Sequence, residues 1–181
     1  ALVMDYSGSM SSQDIVGAEN AACGFVDNMR EQDQAAVIKF SSTVSVSQPL
    51  TSDKNVLKAA IRTPFHERGW TALLDGIFYG MTALDGALGR KIVIAYNDGY
   101  ENHSSRNVNN VISYAQLLNV AIYTIGYGPS VDQNLLERIA VETGGEFFFA
   151  DNWEDVAIYY QSVSNLVDNY YILAHTSTDP E

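Results

Sequence analysis

The sequence predicts an α/β protein: a doubly wound, mostly parallel sheet of about six strands with helices on both faces and one antiparallel strand at an edge. Three observations carry that expectation. Short apolar runs rich in β-branched residues alternate along the chain with longer stretches of helical period. The run KIVIAY at 91–96 is apolar almost without interruption, as a central strand covered on both faces must be. Residues 43–48 instead alternate Val44 and Val46 with polar neighbours directly after an apolar run at 35–41. That is the pattern of a half-exposed edge strand returning through a tight turn.

Taken in order, the first run ends at Asp5 and reads as a strand already under way at Ala1, so we expect a domain cut from a longer protein. Ser11 or Ser12 caps a helix that carries Ile15, Ala18, Ala22, Phe25, Val26 and Met29 on one side. After the strands at 35–41 and 43–48, a short helix through Val56, Leu57, Ala60 and Ile61 stops before Pro64, because the residue preceding a proline is driven out of the α region. A second helix runs from about Ala72 through Leu73, Ile77, Met81 and Leu84. Beyond KIVIAY we expect a helix at 108–118, a strand at 120–126, a helix at 134–143, a short strand at 146–149 and a helix at 153–167. The segment YILA at 171–174 reads as a terminal strand closing a domain of residues 1–174, with 175–181 as a tail or linker.

Composition narrows the function. A chain of 181 residues with 46% apolar and 18% charged residues can fill one domain core without disulfides or a structural metal. Cys23 is the only cysteine, which rules out an intrachain disulfide, and its setting between small residues reads as helix packing. Twenty-two acidic against ten basic side chains give a net charge of -12, which disfavours nucleic acid and anionic membrane surfaces as partners. No apolar run of transmembrane length and no signal-peptide pattern is present. His66, His103 and His175 lack the paired spacing of zinc sites, and Gly126-Tyr127-Gly128-Pro129 lacks the Lys-Ser/Thr of a phosphate-binding loop.

The chemistry concentrates at strand ends. Asp5-Tyr6-Ser7-Gly8-Ser9 follows the first strand, where doubly wound sheets place ligands at a reversal of strand order. An Asp and two hydroxyls at alternate positions can turn three oxygens toward one point, and Gly8 makes the turn cheap. Asp98 closes KIVIAY in the same way, so two carboxylates face each other if the two strands are neighbours. A divalent cation removes the repulsion between them. Thr71, in the loop that opens the next helix, brings a further hydroxyl from a third direction.

Asp5-x-Ser7-x-Ser9, then Thr71, then Asp98-Gly99, each in order on the expected strand end, resembles the metal-ion-dependent adhesion site of von Willebrand factor A domains. The order of elements over about residues 1–170 is similar to that family too, including Tyr123-Thr124-Ile125-Gly126. The resemblance implies that Ser7, Ser9 and Thr71 ligate an ion directly, with Asp5 and Asp98 binding directly or through water. It implies Mg²⁺, with Mn²⁺ or Ca²⁺ as alternatives, and a protein partner that offers an Asp or Glu to the ion. Two positions depart from the family's habit: Trp70 stands where a small residue is more usual, and Asn97 where a small hydroxyl residue is common. Tyr6, Trp70 and Tyr100 flank the inferred ligands as an aromatic rim for partner contacts, although Trp70 equally reads as packing over its own helix. Asp75 and Glu101 read either as orienting the site or as solvated or capping groups, and Asp14 and Asp132 as carboxylates at helix starts.

An enzymatic reading fails on the residues. A phosphoryl-accepting Asp5 would need a second Asp where Ser7 stands, and Ser7 and Ser9 lack the elbow and the histidine of a serine hydrolase. Two binding readings remain. One is an adhesion module exposed at a cell surface or outside the cell as part of a larger bacterial protein, which the Tyr- and Asn-rich, lysine-poor composition favours. The other is a cytoplasmic assembly module working with an ATPase complex. In adhesive relatives the last helix slides, and residues 153–167 are the corresponding element here.

Overall fold

The computed structural model describes the backbone of residues 1–175 and the side chains of residues 1–167. The strands are β1 (Leu2–Asp5), β2 (Ala35–Phe40), β3 (Val44–Thr51), β4 (Lys91–Asn97), β5 (Val120–Tyr127) and β6 (Phe147–Ala150). The helices are α1 (Ser12–Asn28), α2 (Lys54–Arg62), α3 (Leu73–Thr82), α4 (Val108–Leu118), α5 (Gln133–Glu142) and α6 (Trp153–His175). One six-stranded sheet has the order β3-β2-β1-β4-β5-β6, parallel throughout except for β3 against β2. The doubly wound sheet with its antiparallel edge strand is therefore as the alternation of patterns predicts. Because β1 is flanked by β2 on one side and β4 on the other, the winding reverses at β1/β4, and a crevice opens above the carboxyl ends of those two strands.

Period-2 alternation in the strands divides the core in two. Leu2 and Met4 join α1, α2 and α6 on one face, and Val3 joins α3, α4 and α5 on the other. Ser11 caps α1: its hydroxyl accepts from the Asp14 N–H and the Asp14 carboxylate accepts from the Ser11 N–H, a reciprocal box that fixes where the helix starts after the crevice loop. Helices α1 and α6 approach closely because position 17 is glycine; a Cβ there would sit 2.3 Å from the Trp153 ring. That ring stacks on Tyr127 with centroids 4.3 Å apart.

One element differs from its expected form. Residues 171–174 are not a strand but continue α6, which runs to His175. Tyr160, Val163, Val167, Tyr171 and Ala174 recur in the sequence at intervals of three and four, the period of a helix, and the backbone follows that period instead of the local β preference of Tyr and Ile. Of the expected tail at 175–181, residues 176–181 lie outside the described residues.

Candidate metal-binding site

Three loops meet above β1 and β4. The first leaves β1 after Asp5. The Tyr6 N–H still donates to Phe40 O at 2.8 Å, which extends the pairing with β2 by one step, and the Gly8 N–H then donates to Gly69 O at 2.9 Å. This turn brings the Ser7 and Ser9 hydroxyls within 3.0 Å of each other. The second loop leaves β4 at Asp98, whose Oδ1 accepts from Ser9 Oγ at 2.6 Å. The third carries Thr71, held in place where the Ala72 N–H donates to Ser41 O at 2.8 Å. The Ser9 and Thr71 hydroxyls converge on Gly99: a Cβ there would lie 3.3 Å from Ser9 Oγ and 3.6 Å from Thr71 Oγ1. The five residues expected to form the site, Asp5, Ser7, Ser9, Thr71 and Asp98, thus line one crevice, and all except Ser9 are buried.

The electrostatics of the crevice are unbalanced. Asp5 Oδ1 accepts from the Ser7 N–H at 2.6 Å, but Asp5 Oδ2 is buried with no hydrogen-bond partner. Burial, and next the charge of Asp98, push the Asp5 carboxyl up to about 7, against the opposing effect of the Ser7 N–H and hydroxyl and of the Asp98 N–H. Asp98 is raised as well, chiefly by burial, with the Ser9 hydrogen bond working the other way. Leaving a buried carboxylate oxygen unsatisfied costs more than a typical hydrogen bond returns. Two carboxylates and three hydroxyls form an all-oxygen donor set, which suits a hard divalent cation, and such a charge would answer the orphaned oxygen. Among the described residues, no group of three or more His, Cys, Asp or Glu side chains offers a competing site.

Of the three rim residues, Trp70 and Tyr100 are exposed, at 62% and 60%. Tyr6, expected in that rim, is not part of it: it is 2% exposed, and its hydroxyl lies 2.9 Å from Glu19 Oε1 and 3.2 Å from Ile61 O. The cause is visible in the strand, since Tyr6 continues the Leu2, Met4 alternation into the α1 side of the core. Beneath it lies a residue the sequence did not single out. Lys39 of β2 is buried, donates to Ile61 O at 2.7 Å and to Thr63 O at 2.5 Å, and holds its ammonium 4.7 Å from the centre of the Tyr6 ring. It satisfies carbonyls at the C-terminus of α2, the place where a cation is favoured. Asn97 donates from Nδ2 to Gly99 O at 2.5 Å and so shapes the backbone just after Asp98.

The loop after Asp98 also holds a set of contacts that no sequence pattern announced. Glu101 Oε2 accepts from the Leu74 N–H at 2.9 Å, Asn102 Oδ1 from the Thr71 N–H at 2.9 Å, and Ser104 Oγ from the Asp75 N–H at 3.0 Å. In return Asp75 accepts from the Ser105 N–H at 2.9 Å and from Arg106 Nη1 at 2.8 Å. Asp75 and Glu101 are therefore cross-loop braces rather than free solvated charges. Asp14 and Asp132 act at helix starts, Asp132 accepting from the Leu135 N–H at 3.1 Å. His66 and His103 are exposed.

Comparisons with known proteins bear on the fold that carries these loops. A family profile described as the von Willebrand factor type A domain matches residues 1–163. Inter-alpha-trypsin inhibitor heavy chain H3 of Homo sapiens is 25% identical over 189 residues, covering 91% of this chain and 21% of that protein. The chain spans well under two thirds of the length of the curated relatives it matches. Among solved structures, a von Willebrand factor type A protein from Catenulispora acidiphila superposes with a TM-score of 0.82 at 19% identity, covering 90% of this chain and 41% of that one. Proximal thread matrix protein 1 from the mussel byssus superposes at 0.77 with 20% identity, covering 91% of this chain and 46% of that one. That structure is described as having a zinc-occupied metal-ion-dependent adhesion site motif.

Proposed function

Because this chain belongs to the von Willebrand factor type A family, we propose that it is a protein-binding module that works through a divalent cation, Mg²⁺ by preference, held at Asp5, Ser7, Ser9, Thr71 and Asp98. One observation carries the reading: the buried, unpartnered Oδ2 of Asp5 beside the Asp98 carboxylate, at the point where three loops converge. A bound cation supplies a Lewis-acid position for an Asp or Glu side chain of a partner. Everything else is the work of the chain. Asp5 and Asp98 provide the charge that holds a cation. Ser7, Ser9 and Thr71 add neutral oxygens, so the set leaves part of a divalent charge uncancelled and available to an outside carboxylate. Trp70 and Tyr100 stand exposed beside the crevice and supply apolar contact around the captured group.

The module is not catalytic in this reading. Ser7 and Ser9 bond to each other, and Ser9 donates to Asp98, instead of either meeting a histidine base. We place it at a cell surface or outside the cell, within a larger protein. No helix among the described residues is long and apolar enough to cross a membrane. The mussel protein's zinc-occupied motif on the same fold supports a divalent ion in general.

The test is thermal unfolding of the wild type and of Asp98→Ala with excess Mg²⁺ and with chelator. A ligand at about 100 times its dissociation constant adds roughly 2.7 kcal/mol, or about 5–10 °C for a domain of this size. A Mg²⁺-induced rise in the wild type that vanishes in Asp98→Ala supports the reading. An equal response in both proteins removes it.

A further inference from the structure

We propose that Asn102 is a positioning residue of this site: its clasp on the Thr71 backbone sets the Thr71 hydroxyl opposite Asp98 and so tunes cation affinity without touching the ion. The inference rests on the proposed metal reading. Its ground is the way α3 begins. The N-cap residue of α3, Ala72, has no side chain that can cap, so the first N–H groups of the helix must be satisfied from elsewhere. Those of Leu74 and Asp75 are satisfied by the loop that follows Asp98. Glu101 accepts from the Leu74 N–H with one carboxylate oxygen, and with the other from the His103 N–H at 2.9 Å and the Ser104 N–H at 2.8 Å. The carboxylate thereby fixes its own loop and the helix start in one geometry.

Within that brace Asn102 is joined to Thr71 twice. Its Oδ1 accepts from the Thr71 N–H at 2.9 Å, and its own N–H donates to Thr71 O at 3.1 Å. The next residue is held from the opposite side, where the Ala72 N–H donates to Ser41 O. The Thr71 backbone is therefore held from both sides, which fixes where its Cβ stands, and its hydroxyl lies 3.6 Å from the point a Cβ on Gly99, the first residue after Asp98, would occupy. Since Asp98 and Asn102 belong to one loop, the clasp makes the Thr71-to-Asp98 separation a property of that loop. Neither α3 nor β4 could set it alone. Donor sets for cations tolerate displacements of only about 0.5 Å, and removing an outer partner of a metal ligand typically weakens binding about 10- to 100-fold. Asn102 is exposed, so its truncation disturbs no core.

Mn²⁺ titration calorimetry on the 181-residue chain tests this, with thermal unfolding in chelator as the stability readout. Wild type is compared with Asn102→Ala, Asn102→Asp and Asn107→Ala. Asn102→Ala is expected to weaken Mn²⁺ binding by about 10-fold or more. Asn102→Asp keeps the acceptor for the Thr71 N–H and binds at least as tightly as wild type. Asn107→Ala removes a comparable bond from the same loop, the α4 cap to the Asn110 N–H, and leaves Mn²⁺ affinity unchanged. If Asn102→Ala binds like wild type, or Asn102→Asp is as weak as Asn102→Ala, the clasp has no positioning role. If Asn107→Ala weakens binding equally, general loosening of the loop explains the effect and the proposal falls. Absence of Mn²⁺ binding in the wild type overturns the metal reading itself, and this inference with it.

Discussion

Asp5 and Asp75 are two aspartates of one crevice region with opposite environments. Asp75, one helical turn beyond Thr71, is saturated: the Ser105 N–H, the Ser105 hydroxyl and Arg106 all donate to it. Burial pushes its carboxyl up, but these donors outweigh that and hold it below the usual carboxylate range. The Arg106 guanidinium is itself placed by stacking 3.8 Å from the centre of the Phe78 ring. Asp5 is more deeply buried, receives the Ser7 N–H on one oxygen, and makes no hydrogen bond with the other. A carboxylate given every donor it can use is holding structure together. One that the fold buries short of donors suits the role proposed for Asp5, meeting a charge that arrives from outside.

The largest expected consequence of that difference is in the pH dependence of stability. The native pKa of Asp5, about 7, lies above its unfolded value near 4, so between those limits the folded state binds more protons than the unfolded one. The Asp5 contribution to the stability of the cation-free protein therefore falls as pH rises from about 4 to about 7, by on the order of a few kcal/mol. Asp75 runs the other way: its native pKa is depressed, so its contribution is present above the usual carboxylate range and lost only as pH falls through it. Urea midpoints between pH 4 and 8 in chelator measure the first slope. Asp5→Asn, which keeps the oxygen that accepts from Ser7, is expected to flatten it, and so is saturating Mg²⁺ in the wild type. A wild-type profile that is flat in chelator would mean that Asp5 is not held in the unbalanced state described above.

Smaller, and aimed at the other member of the pair, is Asp75→Ala. Removing an acceptor from Ser105 and Arg106 is expected to cost about 1–3 kcal/mol of stability, read from the urea midpoint at neutral pH, while a Mg²⁺-induced rise in melting temperature remains. If Asp75→Ala instead abolished the Mg²⁺ response at little cost in stability, the two aspartates would have exchanged roles and the comparison would be broken.

Most of the fold was legible because it is written in local periods. KIVIAY at 91–96 announces a strand buried on both faces, and Val44 and Val46 an edge strand. The strand-end part of the candidate site was legible because Asp5, Ser7, Ser9 and Asp98 sit at or just after the ends of β1 and β4, and the order of strands brings Asp5 and Asp98 together; Thr71, between α2 and α3, follows no such rule. What escaped reading depends on partners distant in sequence. The bonds from Glu101, Asn102 and Ser104 to the start of α3 span 27 to 31 residues, between two loops without any period. Lys39 answers backbone carbonyls 22 and 24 residues away, and carbonyls have no sequence signature. Tyr6 and the end of α6 are different: the signal was present in each, as the Leu2, Met4, Tyr6 alternation and the spacing of Val163, Val167, Tyr171 and Ala174. In both, a local cue competed with the longer period, and the longer period won.

The smallest expected effect separates the crevice from its surroundings. Trp70 is 62% exposed, and its backbone N–H, not its ring, ties it to Ser42 Oγ at 2.8 Å. Trp70→Ala keeps that N–H and exposes no buried core, so stability is expected to stay within about 0.5 kcal/mol of wild type, with the Mg²⁺-induced shift unchanged. Both are read from the same melting curves. A loss well above 1 kcal/mol would place the indole against its own helix as a structural support and withdraw Trp70 from the partner-contact surface. A small loss with an intact Mg²⁺ shift leaves an exposed aromatic beside a charged crevice that the fold does not need for its stability. Contact with a partner is then the role left for it.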